Sequence, residues 1–175
     1  MPQSPAMKTS LVMTLLGPDR PGLVELLSTT VADHGGNWLE GRMARLSGQF
    51  AGILRIECSP DDADPLVEAL RGLSHQGLQV QVIVEHAKVP DPRVSLSIDV
   101  VGNDRPGIVR RIAAAVVGAG GNIEEFSTRL ESAPMAGHPL FHATGIVSLP
   151  ADGDPARLVT AIEYLGDDLA VTVGG

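Results

Sequence analysis

A chain of 175 residues that is 43% hydrophobic can bury packed cores, and with aromatics at only 3% those cores must be built from Leu, Ile, Val and Ala. A net charge of −8, with 13 scattered Lys and Arg, argues against a nucleic-acid face, which needs clustered cations to displace phosphate counterions. The single cysteine, Cys58, excludes an internal disulfide framework and a Cys-based zinc cluster and suits the reducing cytoplasm, while the lack of an apolar run of roughly 18 residues argues against a membrane helix.

Residues 1–7 have neither a basic nor an apolar signal-peptide region and read as a disordered leader. Leu11, Met13 and Leu15 then alternate as in a strand. The turn Gly17-Pro-Asp-Arg-Pro-Gly22 follows, with Pro21 expected at the first position of a helix, where its missing N–H costs nothing. Leu23, Val24, Leu27 and Val31 recur at helical spacing, and Gly35-Gly36 end that helix by accepting a left-handed conformation. Residues 37–47 and 50–58 read as a hairpin turning at Ser47-Gly48-Gln49, and 63–73 and 78–84 as a second helix and a last strand. A proline-bearing linker over 87–92 closes a first domain of 8–86 and leaves a second of 93–175.

The second domain repeats the first. Gly17-Pro-Asp-Arg-Pro-Gly22 returns as Gly102-Asn-Asp-Arg-Pro-Gly107, a shift of 102 − 17 = 85, and the same shift carries His34-Gly-Gly-Asn37 onto Ala119-Gly-Gly-Asn122. Between 17–37 and 102–122, 10 of 21 paired positions are identical, against about one or two for unrelated chains. Strands, helix and hairpin follow in parallel over 122–131, 140–149, 155–165 and 169–173, with a longer hairpin turn, Ser132-Ala-Pro-Met-Ala-Gly137. The order βαββαβ, twice, is the pattern of a ferredoxin-like α+β domain, an antiparallel four-stranded sheet with both helices on one face.

A G-x-D-R-P-G turn followed about fifteen residues later by G-G-N resembles the ACT domain, and the resemblance covers the chain apart from leader and linker. A free-standing tandem pair of such units resembles the glycine cleavage system transcriptional repressor family. That resemblance implies a non-catalytic regulator that binds an amino acid or related metabolite, acts through a protein partner such as a transcription factor, and takes part in control of the glycine cleavage system. A similar turn in the regulatory domain of formyltetrahydrofolate deformylases leaves open an accessory enzyme subunit, and a dimerisation module without ligand is the third possibility. Small aliphatic domains gain from burying further surface, so a homodimer is expected.

Residue chemistry at the turn is compatible with a ligand. A helix start offers unpaired N–H groups and partial positive charge to a carboxylate, around Gly22-Leu23 and Gly107-Ile108. Asp19 and Asp104, or the side-chain carbonyls of Asn37 and Asn122, could accept an ammonium group. The same Asp residues could instead cap the helix, and the Asn residues could simply finish a turn. Arg20 and Arg105 could hold a carboxylate by a two-point contact, although an arginine beside an aspartate more often forms a solvated pair. His138 and His142 lack a third ligand and read as structural or solvent-facing, and Cys58 as a small hydrophobe; no metal, cofactor or catalytic group is expected.

Overall fold

Two four-stranded antiparallel sheets, each backed by two helices, make up the chain; the structure, a computed structural model, describes residues 8–85, 92–132 and 139–175. The chain divides into two units, Met1–Lys88 and Val89–Gly175. In the first, β1 (Thr9–Pro18), α1 (Leu23–Asp33), β2 (Asn37–Leu46), β3 (Gln49–Cys58), α2 (Pro60–Gly72) and β4 (Gln79–Glu85) follow in order, with a short 3-10 turn at Leu73–Gln76. The second comprises β5 (Arg93–Asn103), α3 (Ile108–Gly118), β6 (Asn122–Glu131), β7 (Leu140–Pro150), α4 (Pro155–Glu163) and β8 (Ala170–Gly174). Strand orders are β2-β3-β1-β4 and β6-β7-β5-β8, the ferredoxin-like arrangement expected from the element pattern. The expected leader 1–7, the linker 87–92 apart from Pro92, and the long hairpin turn beyond Ser132 together with His138 lie outside the described residues.

Period-two and period-3.6 patterns meet in each core. Leu11, Met13 and Leu15 of β1 face Leu54, Ile56 and Cys58 of β3 on the side where Leu23, Leu27 and Val31 of α1 and Leu66 and Leu70 of α2 press down, all of them buried. The second core is built alike, from Leu96, Ile98, Val100, Val147 and Leu149 under Ile108, Ile112, Val116, Leu158 and Ile162. Burying one such side chain stabilises by about 1.5–3 kcal/mol, so the apolar stripe holds these short helices in place more than their intrinsic propensity does. Burial pushes the Cys58 thiol up, with the Asp62 carboxylate adding to the effect, consistent with an inert core cysteine.

Both glycine pairs end their helices as expected. Gly35 and Gly120 are left-handed, and the N–H groups of Gly36 and Gly121 reach back to the carbonyls of Val31 and Val116 at 2.9 Å. The prolines of the repeated turn depart from expectation. Helices α1 and α3 begin at Leu23 and Ile108, and the residues before them, Gly22 (φ 86) and Gly107 (φ 83), are left-handed. A left-handed residue cannot belong to the helix, so Pro21 and Pro106 stay in the turn rather than at the first helical position. That position is taken by proline in the other two helices, at Pro60 and Pro155.

Candidate ligand site

Each repeated turn connects the end of a central strand to the start of a helix, and the hairpin loop of the same unit ties it down. Asp19 N–H donates to the Gly48 carbonyl at 2.9 Å, and Asp104 N–H to that of Pro139 at 3.0 Å. The helix starts here differ from the other two. α2 is capped by Ser59, whose hydroxyl accepts from Asp62 N–H, and α4 by Asp154, whose carboxylate accepts from Ala156 N–H, whereas α1 and α3 have no side-chain cap. Asp19 and Asp104 therefore do not cap their helices. Ile108 N–H donates to the Arg105 carbonyl at 3.2 Å, so at α3 the positive end of the helix is left to the N–H groups on either side of it, those of Gly107 and Val109, as it is to those of Gly22 and Leu23 at α1.

In the second unit this helix start borders a cavity of about 500 Å³, lined by Asp104, Arg105, Pro106, Gly107, Ile108 and Val109 from the turn and α3, and by Thr128, Arg129, Leu130 and Phe141 from the hairpin. Its lining thus combines an apolar wall, a carboxylate, two arginines and a helix N-terminus. Among the described residues the Asp104 carboxylate has no ion-pair or hydrogen-bond partner. Arg129 is held by Glu131, 2.6 Å from its Nε, and by the ring of His142; this arginine keeps the Glu131 carboxyl below the usual range. His142 also contacts Asp99 at 2.9 Å, so the histidine is part of a polar network on the sheet. No group of metal-ligating side chains occurs among the described residues.

The first unit brings the same turn to a different end. Arg45, which the shift of 85 places opposite Leu130, reaches across from β2 and pairs with Asp19 at 2.7 Å. The two first-unit counterparts of cavity-lining residues Asp104 and Leu130 are thus joined to each other.

Asn37 and Asn122 stand away from this arrangement, and the arginines of the turns are engaged by loops of their own units. Asn37 pairs with Glu57, beside Ser10 at the beginning of β1, while the turn follows Pro18 at its end. At about 3.3 Å per residue that is roughly 25 Å along the strand, and Asn122, opposite Ser148, is placed likewise. An 11-residue helix between turn and asparagine carries the two to opposite ends of the sheet, so within a unit Asn37 does not converge with Asp19, nor Asn122 with Asp104, on one ligand. Arg105 lines the cavity while its guanidinium is bound elsewhere in the unit. Arg105 donates to Asp168 at 2.7 Å and to the Leu165 carbonyl at 3.3 Å, clamping the α4–β8 loop, and Arg20 reaches the Gln76 carbonyl at 3.3 Å. Both guanidinium groups thus bind loops of their own unit, and the buried Arg105 Nε has no hydrogen-bond partner among the described residues. Leu130, Phe141 and Thr128 are cavity residues that the motif did not indicate, because they come from a hairpin more than twenty positions away.

Comparison with known proteins agrees with this architecture. A profile of the ACT domain matches residues 9–83. The glycine cleavage system transcriptional repressor of Escherichia coli (strain K12) is 27% identical over 162 residues, covering 91% of this chain and 85% of the relative. A crystal structure of an unknown protein from Galdieria sulphuraria superposes with a TM-score of 0.77 at 28% identity, covering 95% of this chain and 98% of that one. A second crystal structure, provisionally assigned as a glycine cleavage system transcriptional repressor, gives 0.68 at 18% identity over 96% and 97% of the two chains, which speaks to the fold.

Proposed function

The chain belongs to the ACT-domain family, its first unit matching that domain and its second repeating it, and on that premise we propose that it is a regulator with no catalytic centre of its own. In this reading it binds an amino acid or related small metabolite at the second turn and signals occupancy to a protein partner such as a transcription factor. The repressor of Escherichia coli, similar over 91% of the chain, supports a place in control of the glycine cleavage system. The reading has the protein in the cytoplasm, as a homodimer and without a cofactor. Exposed Leu16, Ile53 and Ile83 on the sheet face away from the helices favour further association.

The observation that carries the reading is the cavity at the start of α3. An α-carboxylate would lie at the start of α3, on the backbone N–H groups of Gly107 and Val109, and an ammonium group would meet the partnerless Asp104 carboxylate. An apolar side chain would rest on Val109, Leu130 and Phe141. Thermal unfolding in the presence of each proteinogenic amino acid tests this. A ligand at a hundredfold over its Kd stabilises the folded state by about 2.7 kcal/mol, and a panel in which no amino acid moves the transition would overturn the proposal.

A further inference from the structure

We infer that the two units have diverged in function and that Arg45 is the residue responsible: the first turn is closed by the chain's own cation, and each chain therefore binds one amino acid, at the second. This rests on the reading of the second turn as the ligand site and extends it. Asp19 and Asp104 occupy the same place in the repeat, and so do Arg45 and Leu130. Around Asp104 the carboxylate is without partner and Leu130 lines the cavity. Around Asp19 the Arg45 guanidinium sits 2.7 Å from the carboxylate. An incoming ammonium group would have to displace a cation that is already tethered to the site, and the arginine stem would fill the space that Leu130 leaves to the cavity. Neighbouring positions reinforce the difference: Met43 and Ala44 stand in β2 where the second unit has Thr128 and Arg129.

The experiment is calorimetric titration of the full chain with each of the twenty proteinogenic amino acids, repeated on two complementary variants. Arg45 and Leu130 have side chains that are largely exposed (70% and 59%), so Arg45→Leu and Leu130→Arg are expected to fold, with circular dichroism as the check and Arg45→Met as a second opening variant. Wild type is expected to bind one amino acid per chain, Arg45→Leu two, and Leu130→Arg none. A wild-type stoichiometry of two, or an Arg45→Leu and an Arg45→Met that both remain at one while Leu130→Arg abolishes binding, overturns the division of labour and leaves the second site standing. Binding that survives Leu130→Arg, or no heat with any of the twenty, removes the second site itself and this inference with it.

Discussion

Leu54 fills the space left by Gly41 directly opposite it across β2 and β3, where a Cβ added to the glycine would lie 2.6 Å from Leu54 Cδ2. The second unit holds the same pair in reverse, with Phe126 opposite Gly145. Duplicated cores have thus exchanged large and small across one rung of the sheet. Gly41→Phe alone is expected to overpack the first core by about 1–3 kcal/mol, and Leu54→Gly alone to cost at least the ~2–5 kcal/mol of a truncated buried leucine. The double variant should lose less than the sum, by about 0.5–3 kcal/mol. Urea unfolding followed by the fluorescence of the single tryptophan, Trp38, which sits beside Gly41, reads all four chains. Strict additivity would show that the two positions do not complement each other.

Local signals in the sequence translated well and long-range ones did not, for a physical reason. Alternation at Leu11, Met13 and Leu15, the helical stripe at Leu23, Leu27 and Val31, and the paired glycines each report a backbone preference set within a few residues. Pro21 was misleading because Gly22, next to it, has a stronger claim on the helix boundary through its left-handed conformation. Asp168, the partner of Arg105, is 63 positions away, and Arg45 meets Asp19 across the sheet; such pairs exist only once the topology is known. The repeat revealed that the turns are equivalent in sequence, whereas Arg45 against Leu130 shows that they are unequal in structure.

Gly107 offers a test of the turn itself. A Cβ there meets nothing within 4 Å, yet its φ of 83 is left-handed, so the penalty for a side chain is conformational alone. Gly107→Ala is expected to destabilise by about 1–2 kcal/mol, and Gly107→Asn by less, since asparagine tolerates this region better. Chemical unfolding of both variants checks the order; equal losses would point to a steric cause instead.

The clamp between Arg105 and Asp168 makes a pH-dependent contribution. The Arg105 guanidinium, and after it the Asn103 N–H at 2.8 Å, hold the Asp168 carboxyl below its ordinary value of 3.8. A carboxyl whose pKa is lowered by folding stabilises the fold above its unfolded value, and that contribution is lost as pH falls through the folded one. Asp168→Asn is therefore expected to be less stable than wild type by a constant margin between about pH 7 and pH 5, and the margin should narrow on acidification below the unfolded value. Urea midpoints compared across that range and below the unfolded value decide it, and a margin that widened in acid would contradict the assignment.

The sharpest test of where a ligand sits compares Asp104 with Asn122, both of which motif chemistry makes plausible acceptors for an ammonium group. Asn122 opens β6 opposite Ser148, at the end of the sheet away from the turn, while Asp104 lines the cavity. Asn122→Ala is expected to leave affinity for the bound amino acid unchanged. Asp104→Ala should weaken it by the value of a hydrogen bond to a charged group, about 1.5–3 kcal/mol, or roughly ten- to a hundredfold in Kd. Stability should move little in either case, since both residues are exposed. Calorimetry on the two variants separates the possibilities. If Asn122→Ala weakens binding and Asp104→Ala does not, the ligand lies at the far end of the sheet, beside the glycines that end α3, and the start of that helix is scaffolding.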